Sequence, residues 1–215
     1  MITSVPENSI QIIEKYFKAI QKRQQDQFAR LLQLYGYWNK RINVISRKDI
    51  DNLYTRHILH SLSIARVISF KPETVVIDAG TGGGFPGLPL AILFPGTHFF
   101  LIDSVAKKLK VVNSLIRELG LTNVDTRNVR MEELSCQADF IVSRAVVEFS
   151  RLVQWGKKLI IPGGTNTLSN GVLALKGGDL TEEITGFENK VSIYNLSEFF
   201  EEEFFESKKL VYMAV

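Results

Sequence analysis

The sequence predicts an α/β fold in which a doubly wound, mostly parallel sheet follows a group of N-terminal helices and ends in an antiparallel hairpin. Three observations predict it. Through the first 70 residues apolar positions recur at helical spacing, whereas from Lys71-Pro72 onward short apolar runs alternate with amphipathic stretches. Such alternation requires crossover connections, which make neighbouring strands parallel. The third observation is a run of glycines directly after the first apolar strand, which is typical of nucleotide-binding sheets.

The N-terminal third is predicted to be helical. Residues 7–22 and 26–42 place apolar side chains such as Phe17 and Leu31 on one side, as amphipathic helices do. A third helical stretch spans about residues 50–67 and ends before Pro72, because proline disfavours helix in the residue before it. We therefore divide the chain into a helical extension, residues 1–70, and a sheet domain, residues 71–215.

The elements of the sheet domain follow from the period of its apolar residues. In order they are strand 74–78, helix 87–94, strand 98–102, helix 105–119, strand 123–127, strand 139–143 and helix 148–158. Two further strand-like runs, residues 190–196 and 208–215, are separated by an acidic, Phe-rich segment that is too short for a crossover. We therefore expect these last two strands to pair antiparallel.

Composition restricts the class of protein. The 215 residues, 45% of them hydrophobic, suffice for one domain with a full core. Cys136 is the sole cysteine and no basic, apolar signal segment opens the chain, so we expect a protein of the reducing cytoplasm. No apolar run approaches the roughly 20 residues that span a bilayer, so we expect no membrane partner. The three histidines lack metal-ligand spacing, so we expect no metal.

The charge is unevenly distributed although the net charge is only +3. Residues 1–70 carry 11 Lys and Arg against 5 Asp and Glu, whereas residues 178–206 carry 1 against 9. A basic N-terminal third favours a polyanionic partner, although a solvated helical surface would have the same composition.

The glycine-rich turn between residues 77 and 87 satisfies two nucleotide-binding patterns. Gly82, Gly84 and Gly87 have the G-x-G-x-x-G spacing of dinucleotide sites. The same turn also has the spacing D-x-G-x-G-x-G, which begins at Asp78 and Gly80. A carboxylate at the strand end repels a diphosphate and attracts a ligand that carries an ammonium and a sulfonium. We therefore expect S-adenosylmethionine as the cofactor; a glycine turn without a ligand is the alternative.

Further candidates lie near the ends of the other strands, where the ligands of such sheets bind. Asp103, 19 residues after Gly84, can accept ribose hydroxyls, or it and Ser104 can cap the next helix. Arg144 can hold the cofactor carboxylate or orient the substrate, or it can pair with a nearby acid. Met131 can hold the adenine, although methionine also fills gaps in cores.

Several motifs between about Leu34 and Gly177 are together similar to one known family. They are Trp38-Asn39-Lys40 with Asn43, Arg56-His57-Ile58-Leu59 with Ser61, the turn Asp78 to Gly87, Asp103-Ser104 with Lys107, Arg130 with Glu132, Ser143-Arg144-Ala145, and Lys176-Gly177. In these motifs the chain resembles the bacterial 16S rRNA (guanine-N7) methyltransferase G family, also called glucose-inhibited division protein B. The Gly-Phe-Pro-Gly and Ser-Arg-Ala motifs narrow the resemblance beyond methyltransferases in general.

The resemblance implies a class I S-adenosylmethionine-dependent methyltransferase with a Rossmann-like sheet, acting on one guanosine of 16S rRNA or of the small ribosomal subunit. By motif position it implies that Phe85 contacts the cofactor, that Glu132 lies on the adenine side, and that Arg144 positions the reactants near the methyl group. His60 stands where the family has Asp, so no contact of that acid is carried over. The full set of expected cofactor-binding residues is Asp78, Gly80, Gly82, Gly84, Phe85, Asp103, Ser104, Met131, Glu132 and Arg144.

The residues also restrict the reaction. No two prolines are adjacent, which disfavours the Pro-Pro loop of adenine amino methylation, and Cys136 has no evident activating base, which disfavours carbon methylation. Guanine N7 offers a lone pair and no proton, so its in-line methylation needs no general base. The alternatives are methylation of another RNA position or of a small molecule, and a non-enzymatic RNA-binding module.

RNA contacts are expected from Arg56 and His57 on the basic face and from Lys107 and Lys108 beside the cofactor, mainly to phosphates. The target base must leave its stack to enter a pocket. Phe85 or Trp38 can stack on it, although a buried core position is the commoner role of an aromatic residue and is the one that we expect for Trp38. We expect a monomer.

Overall fold

A computed structural model describes residues 9–46, 49–144 and 148–215. Its strands are β1 (Val75–Ala79), β2 (His98–Ile102), β3 (Val124–Arg127), β4 (Phe140–Arg144), β5 (Gly171–Gly177), β6 (Val191–Asn195) and β7 (Lys208–Ala214). They form one sheet in the order β3-β2-β1-β4-β5-β7-β6. The first five strands are parallel, and β7 runs antiparallel to both β5 and β6. The predicted fold class and the antiparallel pairing at the C-terminal end are confirmed.

The helices are α1 (Ile10–Tyr16), α2 (Lys22–Asn39), α3 (His60–Leu62), α4 (Gly87–Leu93), α5 (Ala106–Leu119) and α6 (Phe149–Leu159). The prediction of one helix through residue 22 is wrong, because α1 ends at Tyr16 and a new helix begins at Lys22. A capping box starts α2: the Gln21 amide donates to Gln24 Oε1 over 2.7 Å, and the Gln21 side chain accepts in return. Residues 7 and 8 of the predicted helix, and Ala145 of the Ser-Arg-Ala motif, lie outside the described residues.

The third predicted helical stretch is helical throughout but changes its pitch. It consists of a 3₁₀ turn (Ile50–Asn52), a π-helix (Leu53–Leu59), α3 and a second 3₁₀ turn (Ser63–Arg66). π-helical segments are rare and frequently lie at functional sites. Here the Arg56 carbonyl and the His57 ring of the π-helix contact Arg144 of β4, whereas His60 is buried edge-on against Phe204 and Phe205.

Alternate residues of each strand enter two different cores, as the period of a strand requires. Val76 of β1 belongs to the core formed with α1, α2, α4 and α5, whereas Ile77 and Ala79 belong to the core formed with α6. The N-terminal helices thus share one core with the sheet, and the division at residue 70 stays a prediction. Within the described part of the chain, no helix is long and apolar enough to cross a membrane.

β5 was not predicted, although it is central to the sheet. Its middle, Val172–Leu175, is fully buried and apolar, but a glycine stands at each end. A side chain at Gly171 would overlap the carbonyl oxygen of Met213 on β7. The glycine that weakens the strand signal in sequence is therefore what allows β7 to approach.

Candidate functional site

The candidate site lies at the carboxyl edge of the parallel strands, where the strand order reverses. From β1 the chain proceeds to β2 and β3 on one side, and then crosses to β4 and β5 on the other. Loops that leave β1 and β4 at such a switch point diverge and leave a crevice between them. The glycine turn after β1, Asp103 after β2 and Arg144 at the end of β4 all lie at this edge.

The glycine turn is bound to the end of β2. Gly80, Gly82 and Gly84 have φ values of +71°, +58° and +99°, in the left-handed region that other residues rarely adopt. The Thr81 amide donates to the Ile102 carbonyl over 2.9 Å, and the Gly82 amide donates to Asp103 Oδ2 over 2.8 Å. The alternating glycines therefore serve a backbone conformation that points amides at an acid of the neighbouring strand.

Asp78, near the end of β1, accepts hydrogen bonds from the same turn. Its Oδ2 accepts the Thr81 hydroxyl at 2.5 Å and the Gly87 amide at 2.8 Å, while its Oδ1 has no partner among the described residues. Burial raises the pKa of this carboxyl to about 7, against the lowering effect of both hydrogen bonds. Asp78 thus holds the glycine turn in place and keeps one oxygen without a partner among the described residues. Its expected contact with a cationic cofactor stays a prediction.

Asp103 connects the turn to the start of α5. Its Oδ1 accepts the Val105 amide at 2.8 Å and its Oδ2 accepts the Gly82 amide. The helix begins at Ala106 with Val105 as its N-cap and no side-chain cap, so the alternative of Asp103 or Ser104 as cap is wrong. Ser104 is exposed, and the ribose contact of Asp103 stays a prediction.

A cavity of about 280 Å³ opens beside this turn. Five predicted cofactor residues line it: Gly80, Asp103, Ser104, Met131 and Glu132. Arg151 and Trp155 of α6 line its other side, and sequence reasoning missed both. They lie four residues apart and therefore project from one side of the helix, but core residues have the same spacing, so the local pattern alone does not mark them.

Arg144 belongs to a second group of side chains, built around Phe85. Its Cζ lies 4.7 Å from the centroid of the Phe85 ring. Its Nη1 donates to the Arg56 carbonyl over 3.1 Å, and its Nη2 lies 3.0 Å from His57 Nδ1. Among the described residues no carboxylate forms an ion pair with Arg144, so the alternative of a simple ion pair is wrong for this conformation. Burial lowers the pKa of Arg144 to about 10, and the guanidinium stays protonated at neutral pH.

His57 and Tyr35 complete this group, which we call the Phe85 cluster (Tyr35, His57, Phe85, Arg144). Burial, and after it the charge of Arg144, lower the pKa of His57 to about 3, so its neutral ring accepts the guanidinium bond. Tyr35 of α2 stacks on Phe85 with ring centroids 5.0 Å apart, and its hydroxyl donates to the Gly83 carbonyl over 2.7 Å. Phe85 is only 3% exposed, so it cannot stack on a target base in this conformation.

The four predicted RNA-binding residues separate into two kinds. Arg56 and Lys107 are exposed, and Arg56 forms an ion pair with Asp49 at 3.1 Å. His57 instead holds Arg144 and carries no charge, and Lys108 lines the 280 Å³ cavity. An RNA contact stays a prediction for all four residues, although the neutral His57 ring offers no charge to a phosphate.

In residues 9–46, 49–144 and 148–215, no three His, Cys, Asp or Glu side chains lie close enough together to hold a metal ion.

Comparison with known proteins gives one family and one fold. Residues 23–211 match the GidB family, described as rRNA small subunit methyltransferase G. The chain is 53% identical over 206 residues to the ribosomal RNA small subunit methyltransferase G of Bacteroides thetaiotaomicron, covering 96% of this chain and 100% of that protein. It is 54% identical over 203 residues to the protein of the same name from Flavobacterium johnsoniae, covering 94% of this chain and 97% of that one.

Solved structures support the fold alone, because their sequences are distant. The precorrin-6y C5,15-methyltransferase of Geobacter metallireducens aligns with a TM-score of 0.54 and 11% identity, over 81% of this chain and 92% of that one. A SAM dependent methyltransferase from Aquifex aeolicus aligns with a TM-score of 0.54 and 15% identity, over 72% of this chain and 89% of that one.

Proposed function

The chain belongs to the rRNA small subunit methyltransferase G family and is an S-adenosylmethionine-dependent methyltransferase of small-subunit rRNA. On that premise we propose that it methylates N7 of one guanosine in 16S rRNA, by in-line displacement and without a general base. The observation that supports this best is the Phe85 cluster, which holds a charged guanidinium, rather than a base or a nucleophile, between the glycine turn and the π-helix.

The residues present fit S-adenosylmethionine. The 280 Å³ cavity is lined by Met131 and Trp155, which can hold an adenine, and by Asp103, which can accept ribose hydroxyls. At the inner end of the glycine turn, the unpartnered buried Oδ1 of Asp78 suits a cationic group. When bound, the cofactor supplies an electrophilic methyl group on a positively charged sulfur.

Methylation at guanine N7 requires no proton transfer by the protein. N7 has a lone pair and no proton, so no residue has to remove one. His57 is not set up as a base, because its Nδ1 already accepts from Arg144 and its pKa is lowered to about 3. We assign the contribution of the chain to positioning: Asp78 and Asp103 hold the glycine turn, and Arg144 is held over the Phe85 ring.

Arg144 is the residue to which we assign a place beside the reactants. The two hydrogen bonds and the ring contact hold its guanidinium in one orientation, whereas the ammonium of a lysine lacks the planar fork that makes both bonds at once. During methyl transfer, positive charge moves from the sulfur to the purine. A cation held in one place beside both groups therefore contributes by orienting the reactants rather than by neutralising charge. We further expect the protein to act as a monomer in the cytoplasm.

The test is to incubate the protein with labelled S-adenosylmethionine and small-subunit rRNA that lacks the modification, and to map the product. We expect the label on a single guanine, at a position where the methylated base becomes sensitive to strand cleavage after reduction. Label on a ribose hydroxyl or an amino nitrogen would refute the N7 assignment. Label on no RNA, with cofactor binding intact, would favour a small-molecule substrate.

A further inference from the structure

A second cavity, of about 440 Å³, lies on the other side of Arg144 from the cofactor residues. It is enclosed by the π-helix, which contributes Arg56, and by the segment that leads into β7, which contributes Glu202, Glu203, Phe204 and Lys208.

The position of the cavity places it on the substrate half of the sheet edge. Lys208 opens β7 opposite Gly177, the last residue of β5, so it lies at the same edge as Arg144 at the end of β4. Arg56 belongs to both sites. Its carbonyl accepts a hydrogen bond from Arg144 Nη1 at 3.1 Å, and Arg56 also lines the 440 Å³ cavity. The cofactor-side cavity lies over β1 to β3 and this one beside β5 and β7, with Arg144 between them.

The chemistry of the lining suits one nucleotide. Phe204 is half-buried, and two cations face its ring: Lys208 Nζ lies 4.9 Å and Arg56 Cζ 5.9 Å from the ring centroid. An aromatic face beside cationic side chains is the combination with which proteins bind single-stranded nucleic acid, the ring stacking on a base and the cations contacting phosphate.

The acids in the cavity are compatible with this ligand. Glu202 is already engaged, because it accepts from Lys15 Nζ at 3.0 Å and from the Tyr16 hydroxyl at 2.8 Å. Glu203 is exposed, and its carboxylate can only accept, so it suits the N–H groups of a base rather than a phosphate. The ion pair of Arg56 with Asp49 is exposed and is therefore worth little, so a phosphate can replace it.

We propose that this cavity binds an rRNA nucleotide next to the methylated guanosine, with its base on Phe204 and its phosphate on Arg56 and Lys208. The proposal rests on the proposed function and names a second contact of the same substrate. Binding a neighbouring nucleotide here would hold the RNA strand across the sheet edge while the target base occupies the space beside Arg144.

The experiment compares two variants with two matched controls. Lys208→Gln removes one of the two cations of the cavity, and Lys209→Gln makes the same charge change on the next residue, whose side chain projects from the opposite face of β7. Phe204→Leu removes the ring, and Phe199→Leu removes another half-buried ring that also faces an arginine, Arg66, at 5.9 Å. The affinity of each full-length variant for unmodified small-subunit rRNA is measured over a range of salt concentrations.

Phe204→Leu is expected to weaken RNA binding by about 5- to 150-fold, the range found for loss of one base–aromatic stack. Lys208→Gln is expected to reduce the slope of log affinity against log salt by about 0.7, the value for one lost phosphate contact on single-stranded RNA. The two controls are expected to match the wild type in both measurements.

Cofactor affinity, measured by calorimetry, separates the outcomes. Variants that bind cofactor like the wild type are folded, and if Phe204→Leu fails this check the Lys208→Gln comparison alone decides. Equal RNA binding by the variants and their controls, with a wild type that methylates rRNA, would overturn this proposal but not the proposed function. A wild type that neither binds nor methylates rRNA would overturn both.

Discussion

Replacing Gly87 by alanine puts a methyl group against the buried carboxyl that supports the glycine turn. An ideal Cβ at this position lies 2.7 Å from Asp78 Oδ2 and 2.9 Å from Leu101 Cδ1, closer than real Cβ atoms approach. The same Oδ2 accepts the Gly87 amide at 2.8 Å, so the carboxyl cannot move away without losing that bond. The substitution must therefore displace either α4 or Asp78.

The expected cost follows from this crowding. Overpacking a well-filled core destabilises by about 1–3 kcal/mol. For a chain of this length that lowers the melting temperature by about 2–12 °C, at roughly 2–4 °C for each kcal/mol. Cofactor affinity is expected to fall as well, because Asp78 also holds Thr81 of the turn.

Gly36→Ala is the matched control, because it adds the same methyl group in the interior of α2. No atom lies within 4 Å of a Cβ there, so alanine is expected to raise the free energy of unfolding by about 0.5–1 kcal/mol. Thermal unfolding by circular dichroism and cofactor binding by calorimetry measure both variants. A Gly87→Ala protein that melts like the wild type and binds cofactor equally well would refute the bracing role of Asp78.

Three further predictions concern the candidate site. In Trp38→Phe, Trp155 is the sole tryptophan, and S-adenosylhomocysteine should quench its fluorescence. In Trp155→Phe, the fluorescence of Trp38 should not change on binding. Quenching in Trp155→Phe but not in Trp38→Phe would place the adenine away from Trp155. Because burial raises the pKa of Asp78 to about 7, its negative charge develops between pH 6 and 8. The affinity for S-adenosylmethionine, relative to that for S-adenosylhomocysteine, whose sulfur is neutral, should therefore rise over that interval. Asp78→Asn should abolish this rise. A ratio of the two affinities that does not change with pH in the wild type would contradict a cation contact. His57 has a lowered pKa of about 3, so an unfolded chain binds its proton below 6.5 whereas the folded chain does not. Stability should therefore fall as pH drops below 6.5, and less steeply in His57→Phe; equal slopes in chemical denaturation would show that His57 is charged in the folded protein.

Strands and helices of the sheet domain were predictable where local signals agree. His98–Ile102 matches its prediction at both ends, because an apolar run lies between a turn at Gly96 and the acid Asp103. A break between two N-terminal helices was predicted, but at residues 23–25; its actual position was not predictable, because neither glycine nor proline occurs between Phe17 and Gln21. The apolar spacing continues through it, and the packing of α1 on the π-helix and on α2 decides where the first helix stops.

The residues of the candidate site also divide into those that the sequence could place and those that it could not. Gly80, Asp103 and Met131 follow strand ends, so a parallel sheet brings them to one edge and sequence reasoning could place them together. Trp155 and Tyr35 lie within helices, where their apolar spacing is also that of a core residue. Nothing in the local pattern distinguishes a helix face that touches a cavity from one that touches the sheet.

By itself the sequence determined the α/β class, the acid ahead of the glycine turn and the residues at the strand ends, because each is encoded by neighbours within a few positions. Only the tertiary structure decided that Arg144 rests on Phe85 and donates to His57, and that Phe204 and Lys208 meet Arg56 across a second cavity. Those contacts join residues from separate parts of the chain. Their distances depend on strand order and on how the π-helix packs, which no local periodicity specifies.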